Sequence, residues 1–555
     1  MRHDRVRPRN NKRTGQRTAA SNPTIQTLFG EAIRHHQAGR LVEAEQYYRK
    51  ILAIDARHPD SLHLLGVVAL QIGQPATAIY LIREAIKQRD DVPFYHHNLG
   101  SALQSQGKAL EAVAHYERAI ALKPDYAEAH NNLGNAFKGL DRFAAAVTHY
   151  ERAIALSPNY AEVHNNLGNA LKAQNRLADA IAQYQRALAL RPDYAQAHNN
   201  LGSVFEEQGK LAEAVAAYER ALALLPNVAE VHVNMGNALR RQGKLAEAAA
   251  RYAQALALKP DAAEIHNYLG NVLKEQDKLA DAVTQYERAL ALKPDYVDAH
   301  NNLGHTLEEQ GRPAEAAAHY ERALALDPTV AEVHVNLGNI LQSQGRSADA
   351  IAHYERALAL KPDVAEAHNN LGNVFNQQNK LAEAVAHYER ALALRPDYAE
   401  TYHNLGNAWM TQGKVEEAQR AYERAIELAP RFCLYYRHLF NLKRVVADDR
   451  HFAAIEKMAA DLPSLAVRDQ KELHFALGKA YADLGQHARS FHHISAGNAV
   501  RRREISYDEP ATLGIMDRVG GAFTADLMRA RRGVGDPSTV PIFVLGMPRS
   551  GTTLV

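Results

Sequence analysis

Glycine returns to the same place in this chain every 34 residues. It stands at 66, 100, 134, 168, 202, 236, 270, 304, 338, 372 and 406, inside the string "NNLGN" or a variant of it. Proline keeps the same step from Pro124 to Pro430. A fixed period of this length means that one short unit has been copied. Copies of a unit too small to cover its own apolar faces stack in a row instead of folding around one centre. The period therefore overrides the three or four globular domains that a length of 555 would otherwise suggest.

One unit, 127–160, reads "AEAHNNLGNAFKGLDRFAAAVTHYERAIALSPNY". Leu133 and Phe137 are four apart and share a helix face. Asp141 follows, and the equivalent positions hold Gly73, Gly107, Asn175, Gly209, Gly243, Asp277, Gly311, Gly345, Asn379 and Gly413. Only Gly, Asn or Asp occurs there, the residue types that most readily take the left-handed conformation that ends a helix. A second helix follows, with Ala146, Tyr150, Ala153 and Ile154 on one face, and Pro158 blocks its continuation. Gly134 and Ala146 are small because two helices packed about 8–10 Å apart leave no room for large side chains where they cross. The unit reads as helix, tight turn, helix, stop.

The pattern of Leu133, Gly134, Phe137, Ala146, Tyr150, Ala153 and Pro158 resembles the tetratricopeptide repeat (TPR). The resemblance covers 25–432. The first unit, 25–58, has Ala32 where the glycine belongs. A degenerate stretch occupies 433–466, and one further unit around 471–504 keeps Gly478, Tyr481 and Gly485. The expected fold is an all-α solenoid of about 12 to 14 helix-turn-helix repeats.

Asparagine recurs two positions before the glycine, at Asn98, Asn132, Asn166, Asn200, Asn234, Asn302, Asn336, Asn370 and Asn404, with Tyr268 as the exception. These positions point away from the packed face that Leu133 marks. TPR superhelices turn their first helices inward, so the resemblance implies a concave groove lined by asparagine, similar to that of the O-linked N-acetylglucosamine transferases. An amide both donates and accepts hydrogen bonds. A row of amides therefore suits an extended peptide or protein segment held by its backbone. The other reading of the row is a surface residue copied along with recently duplicated repeats.

His130, His164, His198, His232, His266, His300, His334 and His368 also recur at the repeat step. Equivalent residues in stacked helices lie about 10 Å apart, too far to share a zinc ion that needs each nitrogen at about 2.0–2.1 Å. They read as packing residues, and no metal is expected. Lys+Arg number 65 against 63 Asp+Glu, so overall charge points to no polyanionic partner such as nucleic acid. The basic tail 1–24, with seven Lys/Arg and one acidic residue, reads as disordered; weak binding to an acidic surface is the alternative. Cys433 is the one cysteine, which fits a reducing, cytoplasmic compartment. No apolar run approaches the roughly 18 residues that would span a membrane.

After about 505 the period is lost. Residues 505–540 read as a helical segment and a linker, with "RRGVGDPSTV" rich in turn formers. "PIFVL", 541–545, reads as a buried strand, and "GMPRSGTT" follows it. A strand, a Gly-bearing loop and hydroxyls at a helix start aim backbone N–H groups at an anion. Gly546 and Gly551 have the separation of the nucleotide-triphosphate loop, but Thr552 stands where its lysine belongs. Pro548, Arg549, Ser550, Gly551, Thr552 and Thr553 resemble the 5′-phosphosulfate loop of sulfotransferases, in the form with arginine rather than lysine. A TPR array followed by this loop resembles the bacterial TPR-linked sulfotransferase family.

That resemblance implies that 541–555 begins an α/β domain that binds 3′-phosphoadenosine 5′-phosphosulfate as co-substrate. Arg549 would contact the phosphosulfate catalytically, and the neighbours from Pro548 to Thr553 would hold it. The base and the 3′-phosphate site have no counterpart before Val555. The chain is therefore expected to be cut just as this domain begins, and to be inactive alone. Alternatives are a bare TPR scaffold left by a frameshift or early stop, and a TPR-linked glycosyltransferase.

Overall fold

The computed structural model describes residues 23–504 and scattered positions between 510 and 529. Over the described residues it contains 28 α-helices, one short 3-10 turn and no strand. The strand and loop expected at 541–555, and the tail through residue 22, lie outside them. The chain divides into two compact units, residues 1–327 and 328–555.

Each unit is a solenoid of antiparallel helix pairs. In the repeat analysed above, the first helix runs Ala127–Lys138 and the second Phe143–Leu156. The turn between them has the expected conformation, with Asp141 at φ 55°. Asn175, Asp277 and Asn379 are also left-handed, and the remaining turns carry glycine at positive φ. This residue lets the chain double back: the Arg142 N–H reaches the Phe137 carbonyl at 2.9 Å, satisfying an acceptor that the helix end leaves open.

The two helices meet where the side chains are smallest. Ala146, Tyr150 and Ala153 are fully buried, and the Tyr150 ring packs against Gly134. The same glycine–tyrosine contact recurs from Gly100/Tyr116 to Gly406/Tyr422. At Gly66 and Gly478 an isoleucine, Ile82 or Ile494, takes the place of the ring. The first pair, Pro23–Gln37 and Leu41–Ile54, buries Ala32 at the same position.

The interior is a succession of local clusters. In the first unit one runs from Leu62 to Val204 and another from Ala214 to Val272. In the second, one spans Ala384–Ala408, and another joins Ala418 to Tyr481 around Phe440 and Ile455. The degenerate stretch forms two ten-residue helices, Cys433–Leu442 and Arg450–Ala459, ahead of a longer pair, Val467–Asp483 and His487–Glu504. No helix among the described residues is long and apolar enough to cross a membrane.

Candidate functional site

The asparagine row lies in grooves lined by the first helices. In the first unit Asn165, Asn166, Asn169, Asn199 and Asn200 line a groove of about 470 Å³, with Glu162 and Glu230 at its margins. In the second, Asn339 and Asn370 line one of about 440 Å³ with Glu366, Tyr398 and Glu400.

The amides are not loose. Asn166 Nδ2 donates to Asn131 Oδ1 of the preceding repeat at 3.1 Å. Asn200 donates to Asn165 at 3.0 Å, Asn234 to Asn199 at 3.2 Å, and Asn302 to Asn267 at 3.0 Å. Asn404 donates to Asn369 at 3.3 Å and to Asn373 at 3.0 Å, and Asn370 donates to Asn339 at 2.7 Å. At the N-terminal end histidine replaces the acceptor: Asn98 donates to His63 Nε2 and Asn132 to His97 Nε2. Asn336 has the same half-buried setting. The row is thus a ladder between repeats as well as a groove lining.

A second set of amides sits one position after seven of the eleven glycines. Tyr150 Oη donates to Asn135 Oδ1 at 2.7 Å, Tyr184 to Asn169 at 2.7 Å, Tyr252 to Asn237 at 2.6 Å and Tyr286 to Asn271 at 2.7 Å. Tyr388 and Tyr422 do the same for Asn373 and Asn407. Burial pushes the pKa of Tyr150 and Tyr184 well up, so these hydroxyls remain donors across the physiological range.

Several of these amides have one end tied down, and Asn132 and Asn370 have both, their oxygens accepting from Asn131 and Asn369. Asn166, Asn200 and Asn234 spend the donor end in the ladder and keep a carbonyl oxygen for the groove. Asn169 and Asn237 spend the oxygen on a tyrosine and keep an NH₂. A peptide backbone needs both partners, an acceptor for its N–H and a donor for its C=O. The sequence singled out the row before the glycine. It carried the same 34-residue signal for the row after it and for the acceptors Asn131, Asn165, Asn199, Asn267 and Asn369, but not which end of each amide is engaged.

Several of the recurrent histidines are packing residues bonded at both ring nitrogens. His300 Nε2 bonds the Pro294 carbonyl at 3.2 Å, so it carries the proton, and Nδ1 faces His319 Nδ1 at 3.0 Å. The ring centroids are 5.3 Å apart, which puts both nitrogens nearly on the line between the rings. That is a linear N–H···N bond. A tetrahedral metal would need the two lone pairs to converge from the side. His130 pairs with His149 and His368 with His387 in the same way, while His164 and His266 bond Gln183 and Gln285. Among the described residues no group of three His, Cys, Asp or Glu side chains could hold a metal ion.

Family models agree with this architecture. The model described as "TPR repeat" matches six segments between 100 and 311, and those described as "Tetratricopeptide repeat" match 297–330, 329–397 and 363–431. The matches run without a break from 100 to 431, more than half of the chain. The chain belongs to the tetratricopeptide repeat proteins.

A curated relative of this TPR protein, an uncharacterized protein of Aquifex aeolicus strain VF5, is 32% identical over 108 residues. That match covers 20% of the chain and only 14% of the relative. Solved structures similar to the TPR array include MamA, at 24% identity over 30% of the chain and 96% of MamA, with a TM-score of 0.28. The APC/C hetero-tetramer Cut9-Hcn1 is 15% identical over 85% of the chain and 96% of its own, with a TM-score of 0.41.

Proposed function

We propose that the TPR array binds an extended segment of a protein through that segment's backbone, and that it recruits acceptors for a protein sulfotransferase. The observation that carries the first half is the fixed orientation of the groove amides. Asn166, Asn200 and Asn234 are held by their donor ends and Asn169 and Asn237 by their oxygens, which leaves carbonyl oxygens and NH₂ groups for a ligand. Groups already oriented lose less freedom on binding, so each bond they make contributes more net affinity. Asn98, Asn132 and Asn302 extend the row in the first unit, and Asn336, Asn370 and Asn404 form the row of the second. The same partners would serve any sequence that can lie extended, which suits an enzyme with several protein acceptors.

The second half rests on Pro548, Arg549, Ser550, Gly551, Thr552 and Thr553 and on their place after a TPR array. The co-substrate is 3′-phosphoadenosine 5′-phosphosulfate. An acceptor hydroxyl oxygen bonds to sulfur as the bond between sulfur and the bridging oxygen breaks, and the hydroxyl proton leaves to a base. Arg549 would stabilise the charge that develops on the bridging oxygen. The test is transfer of labelled sulfate from this nucleotide to a tyrosine-containing peptide by the full gene product. Arg549→Ala should abolish most turnover and leave peptide binding intact. Full turnover in that variant would remove Arg549 from the mechanism.

A further inference from the structure

The asparagine grooves carry charge of one sign. Glu162 and Glu230 stand in the wall of the groove in the first unit, and Glu366 and Glu400 in the wall of the one in the second. All four are exposed. Each is the second residue of its first helix, directly after Ala161, Ala229, Ala365 or Ala399. Among the described residues no lysine or arginine lines either groove.

An acid in the first turn of a helix has a local reason to be there, because the open N–H groups at that end carry partial positive charge. The second helices show what that reason produces elsewhere in the array. Asp179, Glu315 and Asp349 also lie in first turns, and each is ion-paired, to Arg176, Arg312 and Arg346 at 2.7 Å. The far ends of the first helices are neutralised too, Lys172 by Glu207 of the next repeat at 2.8 Å and Arg240 by Glu275 at 2.5 Å. At the groove position Glu264 has such a partner, Lys293 at 3.5 Å. Among the described residues no ion pair reaches Glu162, Glu230, Glu366 or Glu400. Glu366 accepts a long bond from Asn339 Nδ2 at 3.4 Å. Arg191 and Arg395, which adjoin the two grooves, stack on Tyr194 and Tyr398 at 3.5 and 3.3 Å instead.

We propose that the asparagine grooves take a lysine- and arginine-rich segment of another protein, whose cations lie against the unpaired carboxylates of Glu162, Glu230, Glu366 and Glu400. This rests on the reading of the grooves as backbone binders and names the class of segment they hold. The amides engage the backbone of the segment, and the acids at the groove wall engage its side chains. An exposed ion pair contributes little alone, so the acids act by their sum and select net charge rather than an order of residues. A groove of one sign also draws segments of the opposite sign towards it before contact. An acidic segment meets four like charges and is repelled.

The test is calorimetric titration of the full chain with three 15-residue peptides of Ser and Ala that differ only at five positions, filled by Lys, Gln or Glu. The Lys peptide should bind at least about tenfold more tightly than the Gln peptide, and the Glu peptide more weakly than either. Raising NaCl from about 0.05 to about 0.5 M should remove most of that preference. The chain with Glu162→Gln, Glu230→Gln, Glu366→Gln and Glu400→Gln keeps exposed side chains of the same shape and should lose the preference. Equal binding of the Lys and Gln peptides would overturn this inference and leave backbone recognition standing, whereas no binding of any of the three would remove both. A preference that survives in the fourfold variant would also overturn it. The competing occupant is the basic tail of the chain itself. Changing the seven Lys and Arg of residues 1–24 to Gln should leave the affinity for the Lys peptide unchanged; a rise of about tenfold would make the tail the occupant and overturn the assignment to another protein.

Discussion

A Cβ placed on Gly134 would sit 2.6 Å from Cε1 of Tyr150, inside the ring's van der Waals surface. Tyr150 has no exposed surface and cannot swing away. The two residues therefore set the closest approach of the helices in their repeat. Gly134→Val should cost about 1–3 kcal/mol, the usual range for overpacking a filled core, with a smaller gain in helix propensity to offset it than alanine would give. Because a solenoid is stabilised repeat by repeat, hydrogen exchange should speed up first between 127 and 156 rather than uniformly along the chain.

The tyrosine hydroxyls should matter more for the groove than for the fold. Replacing Tyr150, Tyr184, Tyr252 and Tyr286 with Phe removes one hydrogen bond each and leaves the rings in place. A loss of about 0.5–1.5 kcal/mol per site is expected in urea unfolding. Affinity for an extended peptide should fall further, because the four freed amides could then rotate.

Most of this fold could be read from the sequence because one unit is copied so faithfully. The residues that end the first helices, Asp141 and its equivalents, took their left-handed conformation as expected, since few other residue types tolerate it. The resemblance to TPR superhelices, not the copying, implied a groove position for the asparagine row. What could not be read was the partner of each amide. Asn166 meets Asn131 only because successive first helices stack in one register, and a contact across 35 residues is set by packing rather than by local pattern.

The ladder carries a stability prediction of its own. Asn166→Ala, Asn200→Ala and Asn234→Ala each remove a donor to the previous repeat. Each should lower stability by about 0.5–1.5 kcal/mol. A binding assay on such variants needs circular dichroism alongside it, so that lost affinity is not confused with lost structure.

The histidines should make the array acid-sensitive. Burial lowers the pKa of His63 to about 4 and that of His403 to about 3; for His403 the neighbouring His438 adds to the effect. Burial, reinforced by His474, lowers that of His493 to about 4. These groups are lowered on folding, so the unfolded chain binds more protons below its ordinary histidine pKa near 6.5. Their contribution is complete above about pH 6.5 and is lost as pH falls towards 4. Helix content should drop over that window. His149→Gln with His319→Gln, copying the residue already used at 183 and 285, should shift the drop to lower pH.

The central claim is that the groove holds a polypeptide by its backbone. The most direct measurement leaves the protein unchanged and alters the ligand. A 15-residue peptide selected from a random display library against the full chain is compared with a scrambled version and with a version N-methylated at alternate residues. Backbone recognition predicts that scrambling changes the Kd by no more than about threefold, while N-methylation, which deletes the donors that Asn166, Asn200 and Asn234 accept from, weakens it by about tenfold or more. Loss of binding on scrambling with no effect of N-methylation would contradict the account and make the groove a reader of side chains.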